Sequence, residues 1–350
     1  MGTGITAVAA YTLTGAPLWL RQAGVALWLA NTALVALLSC LFVLRLALER
    51  DAFARILHDP VQSMFLGAIP MALATVVNGF VDMGRPLMGL AAIAAAERLW
   101  LADVVLALAS AVVVPYAMFV SHDHRLERMT GIWLMPFVPP EVAAASASLL
   151  LPHVADRAAQ GALLTAGLVL WALSVPVAFL LLGVLLLRLA LHHLPPRELA
   201  ISTWITLGTL GTGILGMVGL GGSMPNAFGA LGHTMAGAAV LVATALWGLG
   251  LWWLAMSLAL TVHQARRGLP FNLGWWGLTF PLGVFAAGTN LLAARLGVGW
   301  VAAVAVALFV LLAAFWTMVA ARTLALLVRS AGGRWARAGS PAGAAAAEAD

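Results

Sequence analysis

A chain of 350 residues that is 63% hydrophobic and 9% charged, with a mean hydropathy of +1.01, has too little polar surface to enclose itself in water. Lipid must act as its solvent, which excludes the soluble classes, and the single Cys40 excludes a disulfide framework or a cysteine-based metal site. The net charge of +5 and the pI near 10.9 come from arginine alone, because all 18 basic residues are Arg; arginine gathers on the cytoplasmic loops of membrane proteins, so no nucleic-acid partner is expected.

Ten apolar runs follow along the chain: Met1 to Thr14, Val25 to Leu46, Gln62 to Phe80, Leu99 to Val120, Gly131 to His153, Gly161 to Leu191, Ala200 to Gly222, Met235 to Val262, Pro270 to Ala293 and Val298 to Leu327. The first is too short to cross a hydrocarbon core of about 30 Å, so helix 1 is expected to be N-terminally incomplete. Loops after even-numbered runs, together with the tail, hold thirteen arginines, and loops after odd-numbered runs hold five. By the positive-inside rule both termini are cytoplasmic, as an even helix count requires. Residues 1–329 read as one transmembrane domain; the Ala-, Gly- and Arg-rich segment 330–350 has no periodic apolar face and reads as a disordered cytoplasmic tail.

The third run, "LGAIPMALATVVNG", carries Pro70 and Thr75. In the fourth, Asp103 lies near the expected helix start beside Arg98, which predicts a structural ion pair. The following "SHDHRLER" places His122, Asp123 and His124 in a loop on the same side as His192 and His193. Transmembrane metalloenzymes hold ligands at helical spacing, and H-x-x-x-H is lacking, so a solvated loop and no metal are expected.

The fifth run has Pro136, Pro139 and Pro140, followed by Glu141, an acid inside a span where a charge costs on the order of 3 kcal/mol. It is a candidate for proton or anion coupling; neutrality, an arginine partner or an interfacial position are the alternatives. The seventh run, "GTLGTGILGMVGLGG", contains Thr209 and Gly211. Its "GTGILG" matches a dinucleotide fingerprint, but without a preceding strand it reads as close helix packing, and no cofactor is expected.

The ninth run opens with "FNLGWWGLTFPLG", Phe271 to Gly283. Pro281 lacks an amide hydrogen and should bend the helix, leaving the Gly277 carbonyl free; Thr279 can bond the loosened backbone, and Phe280 is turned aside. That ring either plugs a cavity or packs against a neighbouring helix. Prolines and glycines crowd the odd-numbered runs, while the even ones are cleaner Leu, Ala, Val and Trp. Broken helices are tolerated at membrane depth where they face protein or water, so the odd helices read as an inner layer lining a pathway.

Four segments, "MGTGI", "HDPVQSMFLGAIPMALATVVN", "GIWLMPFVPPEVAAASASLLLP" and "FNLGWWGLTFPLGVFAAGTN", resemble the tellurite-resistance/dicarboxylate transporter family, which includes the slow-type anion channels of plants. The third-run and ninth-run wording is most similar to the sulfite efflux and malate permease branch. The resemblance implies an all-α membrane fold of ten helices, arranged as five hairpins in a quasi-fivefold ring with odd helices around a central pore. It also implies a homotrimer in the plasma membrane, or the inner membrane of a bacterium, and Phe280 at the position of the family's occluding phenylalanine.

The expected function is therefore transport of small inorganic or carboxylate anions across a bilayer, with no enzyme chemistry. Sulfite-type efflux through a Phe280 gate is the first reading, and proton-coupled uptake of a C4-dicarboxylate such as malate through Glu141 the second. A membrane metalloenzyme using the loop histidines is the third. Selectivity is expected from helix-end dipoles, from the hydroxyls of Thr75, Thr209 and Thr279, and from an arginine-rich cytoplasmic mouth.

Overall fold

The computed structural model describes residues 1–338, with side chains through residue 330. Among the described residues there are no strands, and ten helices carry the fold: α1 (Gly2–Thr12), α2 (Leu18–Leu48), α3 (Ala68–Gly79), α4 (Leu90–Val120), α5 (Pro139–Leu150), α6 (Arg157–Leu191), α7 (residues 206–228), α8 (residues 230–265), α9 (Thr279–Leu296) and α10 (Gly299–Ala338). A short helix, Ala52–His58, bridges α2 and α3. α10 continues past Ser330 into the segment read as a disordered tail, and residues 339–350 lie outside the described residues.

Turn chemistry explains where the hairpins fold. Gly89 separates α3 from α4 at φ 62°, ψ −137°, and Gly229 separates α7 from α8 at φ 57°, ψ −129°. A Cβ is strained at such angles, so glycine lets one residue reverse the chain. The expected loops 81–98 and 223–234 shrink accordingly, because the apolar pattern breaks well before the helix does. Gly15 and Gly297, also at positive φ, turn α1 into α2 and α9 into α10.

The odd helices close a ring: α1 touches α3, α3 touches α5, α5 touches α7, α7 packs on α9, and α9 returns to α1. Even helices lie outside. In the α9 span, 78% of the most apolar window is buried, against 11% in α2, whose Leu37, Leu38 and Val43 face outward. This is a multi-pass membrane protein with the inner and outer layers expected from helix parity.

A tryptophan recurs at each contact between the layers. Trp28 of α2 donates its indole N–H to the Val76 carbonyl of α3 (3.4 Å), Trp100 of α4 to Ala143 of α5 (2.9 Å), and Trp171 of α6 to Gly213 of α7 (3.0 Å). Trp247 of α8 donates to the Thr289 hydroxyl of α9, and Trp316 of α10 to the Thr3 hydroxyl of α1, both at 3.1 Å. The five lie roughly 70 residues apart and each ties an even helix to the next odd one, the last closing the ring. Trp100→Phe, which keeps the ring and removes the donor, is expected to cost about 1 kcal/mol and lower the midpoint of thermal unfolding in detergent; Trp171→Phe should add to it independently.

Pro70, Pro139, Pro140 and Pro281 lie at helix starts and are not interior bends, whereas Pro225 lies inside α7. Pro70 and Pro281 are each the third residue of α3 and α9, and Pro139 and Pro140 open α5. Tight turns, Ser63–Gly67, Gly131–Leu134 and Leu273–Leu278, lead into them, and a longer one, Arg197–Ile205, leads into α7. First-turn amides have no intrahelical acceptor, so a proline there loses nothing. The chain thus changes from a tight to an open helix at the same end of each of these four inner elements.

Candidate pore and its plug

That shared end surrounds a cavity of about 500 Å³. Its wall is drawn from the starts of all five odd helices: Met1, then Phe65 and Met71, then Ile132, Met135 and Val138, then Ser202, Ile205 and Gly208, and finally Gly274, Trp276, Phe280 and Pro281. Phe280 is 3% exposed. Its ring belongs to a cluster with Ile5 and Val8 of α1, Met71 of α3, Val138 and Val142 beside and in α5, and Val284 of α9, with Ile205 just before α7 and Leu215 in α7 packed against the cluster. A single aromatic side chain therefore stands among residues from all five inner helices, at the inner end of the cavity.

The helices' N-termini converge on this cavity, and their dipoles place partial positive charge there. No arginine is among the lining residues, and Glu198 is the one ionisable side chain. The expected arginine-rich mouth is thus corrected, because several of these arginines hold loops together. Arg188 donates to the carbonyls of Glu127 (2.7 and 3.2 Å) and His193 (2.8 Å), Arg197 to that of Arg267, and Arg322 lies over the rings of Phe271 and Trp275.

The three threonines named from sequence lie between helices, away from the cavity wall. Thr75, 2% exposed, accepts from Asn31 Nδ2 of α2 (3.1 Å) and donates to Ala72 (2.7 Å). Thr279 donates to the Trp276 carbonyl (2.7 Å) and sits against Gly2. Thr209 is 3% exposed and its hydroxyl has no partner. Gly211 meets the backbone of Val284 and Phe285, so it serves the α7–α9 contact and makes no bend.

Glu141 is fully buried between α5 and α7, where the Thr212 hydroxyl reaches its Oε1 at 2.6 Å, with Ser174 and Thr209 beside it. Thr212 and Ser174 were not singled out in the sequence; Thr212 lies one turn beyond Thr209, a spacing that could have drawn attention to it. Asp103 does not pair with Arg98. Helix α4 begins at Leu90, so Asp103 lies deep within it, and an offset of five residues turns Arg98 about 140° away. Both Asp103 carboxylate oxygens are buried without a partner.

The "SHDHRLER" loop is solvated as expected, with six of its eight residues exposed, and its two half-buried histidines anchor it. His122 Nε2 lies 2.8 Å from the Leu57 carbonyl, and His124 packs on Trp133 with ring centroids 4.7 Å apart. Burial, then the neighbouring His122, holds the His124 imidazole below its ordinary range. Among the described residues no three His, Cys, Asp or Glu side chains gather as a metal site.

Five inner helices form a ring around the buried Phe280 side chain, and residues 1–324 match the voltage-dependent anion channel family. The chain belongs to that family. It is similar to a sulfite efflux pump of Arthroderma benhamiae, 34% identical over 297 residues, which cover 83% of this chain and 78% of that protein. A sulfite efflux pump of Trichophyton rubrum matches at the same identity and coverage. An uncharacterised transporter of Methanocaldococcus jannaschii is 26% identical over 326 residues, covering 93% of this chain and 91% of the relative. In a family of anion channels, the apolar cavity, the dipoles converging on it and the buried aromatic ring acquire one meaning: a conduit for small anions.

Proposed function

We propose that this channel exports sulfite or a closely related small anion through the ring of α1, α3, α5, α7 and α9, with Phe280 as its plug. The observation that carries the reading is the Phe280 ring standing among residues of all five inner helices at the inner end of the cavity. The likeness to fungal sulfite efflux pumps supports the choice of anion. Both termini and the cavity face the cytoplasm of a plasma membrane or bacterial inner membrane, a reading supported by the excess of arginine on that side. Helix dipoles draw the anion in without a tight cationic clamp, which suits rapid release. At a potential of about 100 mV, negative inside, each negative charge that leaves gains on the order of 2.3 kcal/mol, so export needs no pump and no enzyme chemistry.

The protein acts as a homotrimer with one pore per protomer, a reading carried by the family resemblance. Sulfite efflux from liposomes containing the purified chain is expected to exceed that from protein-free liposomes and to rise with an inside-negative potential. Equal rates with and without protein would remove the reading, and native mass spectrometry of the same preparation tests the trimer.

A further inference from the structure

The five tryptophan contacts align the inner helices, and Glu141 breaks their pattern. It lies two residues before the carbonyl that receives Trp100; the equivalent residues before the other acceptors are Ala74, Gly211, Ala287 and Met1. Ala74 and Gly211 are buried in the contacts between inner helices, and Gly211 touches the α9 backbone. At this position α5 inserts a carboxyl that the repeat does not need.

Hydrogen-bond counting says what the carboxyl holds. Thr212 has one hydroxyl proton and two short contacts, the Gly208 carbonyl at 2.7 Å and Glu141 Oε1 at 2.6 Å, with the Thr209 carbonyl a longer third acceptor at 3.4 Å. Both contacts are satisfied when Thr212 donates to Gly208 and the carboxyl brings a proton of its own. Among the described residues the ion pairs are those of Glu49, so no cation compensates Glu141. α6 presents Ser174 to it, and α7 presents Thr209 and Thr212. Of the ionisable groups on the helices touching α5, Asp103 lies on α4 one turn beyond Trp100, Glu97 and Arg98 lie nearer the start of α4, and Arg157 opens α6. Arg188 of α6 is held at the loop end by Glu127 and His193.

A route reaches this group from the cavity. Ser202 lines the cavity wall, and Ser202, Thr206 and Thr209 follow on successive turns toward Thr212. All three are at most 6% exposed, and their hydroxyls, like Glu141 Oε2, have no hydrogen-bond partner. Orphaned buried polar atoms in series are where buried water settles, each water bridging about three of them.

We propose that Glu141 is a proton-binding site loaded from the cavity along Ser202, Thr206 and Thr209. Each hydroxyl, with intervening water, accepts one proton and releases its own to the next, and the last goes to the Glu141 carboxylate, which as the acid donates to the Thr212 hydroxyl; one positive charge has moved inward. The site lies one residue from Val142, which packs in the cluster holding Phe280. The inference holds whichever anion the pore passes.

Infrared spectra of the full chain in lipid test it directly. The wild type is expected to show a protonated-carboxyl carbonyl band that Glu141→Gln lacks, and to shift it promptly in D2O. In Thr206→Val/Thr209→Val, which keeps the side-chain volumes, the shift should slow by about tenfold or more. A difference spectrum without that band, a band unshifted after hours in D2O, or an unchanged exchange rate in the double variant would overturn the proposal. None of these outcomes touches the sulfite efflux measurement, so the two readings fail separately.

Discussion

Phe280→Ala raises anion flux through reconstituted protein by roughly tenfold to a hundredfold, the change that lowering a barrier by about 1.4 to 2.8 kcal/mol produces. The ring is 3% exposed in a cluster with Ile5, Met71, Val138, Val142 and Val284, side chains anchored on four separate helices that cannot all collapse onto an alanine. The resulting gap joins the cavity to the space beyond the plug, and water that enters it supplies a path. Phe280→Leu, which keeps most of the volume, should give a smaller rise. Core truncation of this kind costs about 3 to 5 kcal/mol in soluble proteins, so the flux is read on protein whose tryptophan fluorescence and oligomeric state match the wild type. Unchanged flux in such a sample would mean that Phe280 is a packing residue and that the barrier lies elsewhere.

Much of this architecture was legible in the chain because lipid imposes simple rules. Spans must be long and apolar, broken helices must face inward, and arginines mark one side; these assign ten helices to two layers. Phe280 before Pro281 was visible in the chain, but the plug role proposed for it comes from resemblance, since an aromatic beside a proline fits a packed interface equally well. Helix starts were misread for a physical reason. A proline in the first turn and a proline in the middle of a helix look alike in a run of apolar residues, and the tight turns before Pro70, Pro139 and Pro281 carry no hydropathy signal of their own.

Asp103 was misread through the same boundary uncertainty. Placed near a helix start it would reach Arg98; placed deep in α4 its carboxylate oxygens are buried without a partner. The five tryptophans, at near-equal intervals, were the strongest internal signal and went unused, because a repeat of about 70 residues is diluted by the Leu and Ala around it. Glu141 gained its meaning through that repeat: an acid where its equivalents are Ala, Gly and Met is an exception that composition alone cannot expose.

The repeat also bears on the second large effect, Gly211→Ala. A Cβ built on Gly211 falls 2.4 Å from the Phe285 amide nitrogen and 2.6 Å from the Val284 carbonyl carbon. Both are backbone atoms in α9, so no rotamer change relieves the clash; α7 and α9 must separate along the seam that holds Phe285 and, one turn earlier, Phe280 and Pro281. Overpacking costs about 1 to 3 kcal/mol when side chains can yield, and here the cost is expected at or above the upper end. Gly213→Ala is the internal comparison, because its Cβ meets the flexible end of Leu246 at 3.0 Å and the neighbour can turn aside. Two glycines two positions apart on the same helix should therefore differ sharply: Gly211→Ala loses most of the folded protein and its anion flux, while Gly213→Ala keeps both, as read by thermal unfolding in detergent and by flux in liposomes. Equal tolerance of the two would show that the α7–α9 seam is looser than the backbone contact demands, and a loose seam could not keep the Phe280 ring seated against the opposite wall of the pore.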